Sequence, residues 1–221
     1  MKFSIESKQG HARAGSLSVN NKTINTPAFM TIGTYGSVKT MDTYDLKKCN
    51  VEIILSNAFH LMLRPGTDLI EKFGGLHQLM NWDGLILTDS GGYQVFSLGK
   101  DVKISNTGAE FRSPFNGDKV FMSPEISIDV QTKINTDIMM IFDECIKYPS
   151  DLSTTEKSME LSLRWAKVSK KATYASKNLF GMVHGVCHLY TYRIHHDRLL
   201  SRLRSSAYKN KQSTHMTKHD E

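Results

Sequence analysis

Five short apolar runs in this chain each stop on a polar residue or a glycine, and stretches of helical character separate them. That punctuation limits the possible folds more than any other feature. The clearest case spans residues 85–98. Leu85-Ile86-Leu87 is the kind of run a buried parallel strand shows, and it breaks at once into Asp89-Ser90-Gly91-Gly92. A strand end holds the acid rigidly, and two glycines let backbone N–H groups approach a ligand with no Cβ in the way. The same tetrapeptide also reads as a tight turn whose Asp and Ser cap the next segment.

The remaining runs follow the same rule. Residues 1–25 alternate polar and apolar around Gly10, Gly15 and Asn20-Asn21, which predicts an N-terminal antiparallel hairpin. Residues 27–33 read as a first strand and 38–49 as a helix. Residues 52–57 read as a second strand, and 68–73 as a short helix closed by Gly74-Gly75. After the 85–98 stretch, residues 99–122 carry turn signals at Asn106-Thr107-Gly108 and Asn116-Gly117-Asp118, predicting an inserted β-hairpin. Ser123-Pro124-Glu125 opens a helix to about Asn135, with proline in the first turn. Residues 137–142 form a fourth strand running into Asp143. Residues 153–176 form a long helix with a Ser153/Glu156 capping box, and 178–185 form a fifth strand. Strands alternating with helices predict a parallel α/β fold of the (β/α)8 barrel type, in which chemistry sits where strands end. Asn57, Asp89, Asp143 and His184 all fall at such ends.

Composition matters mainly for what it excludes. The chain starts without the apolar core of a signal peptide and carries no run long enough to span a bilayer. Its three cysteines are scattered with no Cys-x-x-Cys, so neither a disulfide framework nor a cysteine-rich metal site is predicted, and a cytoplasmic setting is expected. The net charge of +6 permits a nucleic-acid partner. That charge is uneven: seven Lys or Arg against three Asp or Glu lie after residue 185, leaving about +2 for everything before it. The chain therefore divides into a barrel part, 1–185, and a divergent basic tail, 186–221, expected to be poorly ordered. An eight-strand barrel takes about 250 residues, so about five of the eight strands are expected here. His184 and His188 have i,i+4 spacing, but no carboxylate stands at a fitting position to complete a metal site.

Two residues carry specific chemistry. Asp143 follows a buried strand directly, and a carboxylate that accepts two parallel N–H bonds suits a guanine-like edge. A structural role as cap or ion pair is the competing reading. Tyr93, four residues past Asp89, offers a face for a base to stack on, or is ordinary core.

The runs Thr26-Pro27-Ala28-Phe29-Met30, Asn57-Ala58-Phe59-His60-Leu61-Met62-Leu63-Arg64-Pro65-Gly66 and Leu87-Thr88-Asp89-Ser90-Gly91-Gly92-Tyr93-Gln94-Val95 resemble the tRNA-guanine transglycosylase family, the queuine tRNA-ribosyltransferases. Phe142-Asp143-Glu144-Cys145 and Ser158-Met159-Glu160-Leu161-Ser162-Leu163-Arg164-Trp165-Ala166 do so too. The resemblance covers about residues 1–185. It implies a (β/α)8 barrel that exchanges guanine at the tRNA wobble position for queuine or 7-aminomethyl-7-deazaguanine, through a covalent aspartyl intermediate. By matching motif, Asp89 would be the acid/base carboxylate, with Ser90, Gly91, Gly92 and Tyr93 forming the base pocket and Asp143 reading the base.

The departures are equally specific. Where the family has Val-Gln-Gly-Gly, this chain has Val183-His184-Gly185-Val186, so His184 would replace a base-contacting glutamine. An imidazole cannot donate and accept from one group as an amide does. Nothing after Val186 matches the family's nucleophilic aspartate or its zinc site of three cysteines and a histidine, so no cofactor is expected in this chain. The resemblance thus implies an impaired transglycosylase, with tRNA and a 7-deazaguanine as partners. The alternative is a non-catalytic subunit that docks on a homologous copy or a complementary C-terminal fragment.

Overall fold

The computed structural model describes residues 1–173, 178–183 and 198. It opens with three antiparallel strands, β1 (Lys2–Gln9), β2 (Ala12–Val19) and β3 (Lys22–Thr26), ordered β1-β2-β3. The predicted hairpin is thus a three-stranded sheet. Asn20 and Asn21 both take positive φ, 48° and 65°, and close a second two-residue turn between Val19 and Lys22.

The body follows as β4 (Thr31–Ile32), α1 (Thr43–Lys48), β5 (Ile53–Ser56), α2 (Ala58–Leu63), α3 (Thr67–Lys72) and α4 (Leu76–Met80). Next come β6 (Leu85–Thr88) and α5 (Gly92–Ser97), then an insertion of β7 (Lys103–Ile104), β8 (Ala109–Arg112) and β9 (Lys119–Met122). The chain returns through α6 (Pro124–Lys133), β10 (Ile138–Met140), α7 (Leu152–Ala172) and β11 (Asn178–Phe180). The insertion is a three-stranded sheet rather than a hairpin. β8 and β9 form the predicted pair, and two-residue β7, too short to show alternation in sequence, adds to β8.

Several boundaries differ from those read in the sequence. Helix α1 starts only after Thr40, whose φ of 64° no helix accepts; Asp42 then caps it by accepting from the Asp45 N–H. Helix α7 is capped by Asp151, which accepts from the Thr154 N–H at 2.9 Å and the Thr154 hydroxyl at 2.7 Å, so the Ser153/Glu156 box is not the cap. Helix α6 begins as predicted, with Ser123 accepting from the Ile126 N–H and Pro124 in the first turn.

The five parallel strands are ordered β4-β5-β6-β10-β11, each beside its predecessor. A doubly wound sheet reverses its order part-way, whereas barrel-type winding runs on without reversal. Side chains alternate across this sheet. Ile53, Leu85, Leu87 and Ile138 pack with Val19 and Ile24 of the N-terminal sheet, while Ile54 and Ile86 face Leu46, Ile70, Leu76, Val130 and Ile134 from the helices. All four residues of β6 are buried, as expected for a central strand covered on both faces. Among the described residues no helix is long and apolar enough to cross a membrane.

At the amino-terminal end of the sheet, Asp137 ties three elements together. Its Oδ1 accepts from Asn20 Nδ2 at 2.9 Å, and its Oδ2 accepts from the Ile86 N–H at 2.9 Å and faces His77 Nε2 at 2.9 Å. Burial alone would push this carboxyl up. The hydrogen bonds from His77, Asn20 and Ile86 outweigh it and hold the group below its ordinary value. A carboxyl depressed on folding contributes stability that is present above its unfolded value, near pH 3.9, and is lost as pH falls through the folded value. Asp137→Asn is therefore expected to flatten the acid limb of urea stability below about pH 4. An acid limb unchanged in the variant would show that other carboxylates govern it.

Candidate active site

The site begins where β5, β6 and β10 end. Strand pairing sets Ser56 beside Thr88 and Leu87 beside Ile138, so the residues that follow each strand emerge at the same end of the sheet. Asn57 and Asp89 directly follow β5 and β6, and Asp143 lies three residues past β10, which stops at Met140 rather than at the expected Phe142. A buried glutamine on α6 joins two of the tips. Gln131 accepts from the Thr88 hydroxyl at 3.0 Å and the Met140 N–H at 2.8 Å, and donates to the Met140 carbonyl at 2.9 Å. Ser127 on the same helix donates to the Ser90 carbonyl at 2.8 Å. The loop carrying the acids is thereby held from behind by fully satisfied polar groups.

Asp89 is held by three donors. Its Oδ2 accepts from the side-chain amides of Asn57 and of Gln94, the latter at 2.9 Å, and its Oδ1 accepts from the Ala58 N–H at 3.0 Å. The last contact makes Asp89 a cap for α2, which comes from the neighbouring strand, while its own following helix starts at Gly91 without a side-chain cap. Asp89 therefore caps α2 from across the sheet and not the segment that follows it, which departs from the turn-and-cap reading. Burial raises the pKa of Asp89, against the opposing pull of its donors from Asn57, Ala58 and Gln94. A carboxyl poised this way is suited to give and take a proton. Gln94 Oε1 is buried and has no hydrogen-bond partner among the described residues.

Asp143 is 5% exposed. Its Oδ1 accepts from the Ser90 hydroxyl at 2.9 Å, and its Oδ2 faces the Cys145 thiol at 3.6 Å. Burial, then the nearby Asp143 and Glu144, push the Cys145 thiol up to about 12, so it stays a protonated donor and is no nucleophile. Both glycines of the loop are required by geometry. Gly91 has φ of 88°. A Cβ on Gly92 would lie 2.4 Å from the Asp143 carbonyl oxygen and 2.8 Å from its Oδ1. Removing that Cβ lets the loop close directly onto the carboxylate. Beside them opens a cavity of about 130 Å³ lined by Gly92, Phe96, Phe142, Asp143, Cys145 and Trp165 among others. Asp89 is not among its lining residues; Ser90 and Gly92 link the two acids instead.

Tyr93 is 65% exposed, which overturns the reading of it as core, and its ring lies 6.1 Å from Phe96. Of the predicted site residues, Asp89, Ser90, Gly91, Gly92, Tyr93 and Asp143 are thus gathered at one end of the sheet. His184 lies outside the described residues, as does the 185/186 boundary. Among the described residues no group of three or more His, Cys, Asp or Glu is placed to hold a metal ion.

A family model described as queuine tRNA-ribosyltransferase matches residues 7–207. The chain belongs to the queuine tRNA-ribosyltransferase family. It is 55% identical over 186 residues to the queuine tRNA-ribosyltransferase of Nitrosomonas eutropha, covering 84% of this chain and 52% of that protein. The namesake from Nitrosospira multiformis is 54% identical over 188 residues, covering 84% and 51%. That from Francisella tularensis subsp. novicida is 53% identical over 186 residues, again covering 84% and 51%. The chain spans about half the length of the curated relatives it matches. The strand-end pattern picks out both acids and Asn57, but not that Asn57 and Gln94 hold Asp89. Gln94 stands out in the sequence only as a member of a motif, and the Asn57–Asp89 bond joins residues 32 apart in sequence.

Proposed function

We propose that this chain supplies the guanine-recognising part of a tRNA-guanine transglycosylase, which exchanges the wobble guanine of tRNA for queuine or 7-aminomethyl-7-deazaguanine. One observation carries the proposal. A buried carboxylate, Asp143, with Ser90 on one oxygen and Gly92 closed against it, stands at a strand tip beside the raised-pKa Asp89. In this reading Asp143 accepts from the ring N–H and exocyclic amine of the base, where each charge-assisted bond is worth about 1.5–3 kcal/mol. Asp89 moves the proton that leaves and rejoins the exchanged base, and the exposed Tyr93 stacks on it. His184 occupies the place of a glutamine that reads the same base. The unreversed five-strand order supports placing these strands as five of a (β/α)8 barrel. The setting is cytoplasmic.

The exchange itself passes through a sugar held covalently on a carboxylate, as in retaining glycosidases. No motif in this chain matches the family's nucleophilic aspartate or zinc ligands, so both come from a complementary segment. The 221 residues alone are expected to bind guanine and yet give no incorporation of labelled guanine into tRNA; adding the C-terminal half of a relative restores it. Robust exchange by the chain alone would sink the need for a second segment. Absence of any guanine binding would sink the recognition role. The second reading is a subunit that docks on a homologous copy or on that C-terminal fragment. A monodisperse monomer that pulls down neither would remove this second reading.

A further inference from the structure

A polar groove of about 410 Å³ lies outside the acid-bearing loop, between α7 and the tip of the inserted sheet. On the helix side, Thr154, Lys157, Leu161 and Arg164 recur at spacings of three and four and so share one face. Ser105 and Asn106 form the opposite wall. The Arg164 guanidinium is steadied across the groove by Asn106 Oδ1 at 3.1 Å, which leaves most of its donors for another acceptor. Lys157 is exposed and forms no ion pair among the described residues.

The groove does not stand alone. Glu144 lines it and also lines the 130 Å³ cavity at Asp143 and an intervening cavity of about 210 Å³ bordered by Tyr93, Phe96 and Cys145. Sharing Glu144 as a wall, the three adjoin one another and mark out a trench from the base-reading carboxylate to the two cations. Glu144 is the acid within it, and burial pushes its carboxyl up, toward the uncharged form, against a hydrogen bond from Ser158 and the nearby Arg164. An exposed aromatic face followed by a cationic groove is the arrangement with which proteins hold single-stranded nucleic acid, stacking a base and neutralising a phosphate.

We propose that the Lys157–Arg164 groove holds a phosphodiester of a single-stranded RNA segment whose adjoining nucleotide lies along the trench past Tyr93. This rests on the tRNA-substrate reading above and adds the place where the strand leaves the site. The full chain is titrated with a fluorescent anticodon stem-loop RNA across a salt series, and separately with free guanine. Lys157→Gln combined with Arg164→Gln is expected to weaken RNA binding about tenfold and to make the log–log salt slope shallower by about 0.7, the share of one single-strand phosphate contact. Guanine affinity is expected to stay the same. Asn106→Ala, which frees Arg164 without removing charge, is expected to stay within about twofold of wild type.

Unchanged RNA affinity and slope in the double variant, with guanine still bound, would overturn the groove and leave the recognition role standing. A full loss reproduced by Asn106→Ala would also overturn it, since anchoring of the β7–β8 loop would then be the cause. A wild-type chain that binds guanine but shows no salt-dependent RNA binding would overturn both the groove and the RNA substrate.

Discussion

Asp143→Asn is expected to weaken guanine binding by roughly a hundredfold, read by calorimetry or equilibrium dialysis. The carboxylate offers two acceptors to two N–H groups of the base. The amide offers one acceptor and sets its own N–H₂ against the second donor. Losing one charge-assisted bond and leaving one buried donor unsatisfied costs about 3 kcal/mol together, which is about two decades in affinity. The fold should survive, because the amide oxygen can still accept from the Ser90 hydroxyl that now lies 2.9 Å from Oδ1. Thermal unfolding within a few degrees of wild type checks that point. A variant that binds guanine within about threefold of wild type would remove Asp143 from base recognition.

Trp165→Ala should have the largest effect on stability, a loss of about 3–5 kcal/mol in urea unfolding. Trp165 is 1% exposed, and its ring stacks on Phe142 with centroids 4.8 Å apart and planes 24° from parallel. Its indole N–H donates to the Asn106 carbonyl at 2.8 Å, joining α7 to the inserted sheet. Truncation leaves a cavity and an unsatisfied carbonyl, and it frees Phe142, the residue directly before Asp143. Guanine affinity should therefore fall with stability. Trp165→Phe, which keeps the ring contact but loses the N–H, should cost about 1 kcal/mol and separate the two contributions. A loss below about 1 kcal/mol for the alanine variant would show that the pocket wall is held elsewhere.

What could be read in the sequence was what punctuation residues encode. Ser123-Pro124 marked the start of α6, and Asp89 marked the end of β6, because capping and turn chemistry is local, while β10 stops three residues short of Asp143. Boundaries failed where a local signal was overridden. The apolar 27–33 run shortens to β4 because only Thr31 and Ile32 pair with β5, and Phe29 is 83% exposed. The 38–49 helix loses its first third at Thr40, whose left-handed backbone no propensity scale would assign to threonine. At the site, residue types were legible but their support was not. That Asn57 holds Asp89, and that Gln131 joins the tips of β6 and β10, depends on contacts between distant segments that no local pattern records, and Gln94 reaches Asp89 only because Gly91 turns α5 back over the strand end.

The unreversed strand order has a consequence for how the polypeptide is made. Each parallel strand pairs with the one synthesised just before it, so the growing sheet always presents its free margin to the next segment leaving the ribosome. No strand has to wait for a distant partner, and none must be threaded between two already in place. Asp89 and its Asn57 clasp can therefore assemble before Asp143 has been translated, and the second acid is added to a floor already laid.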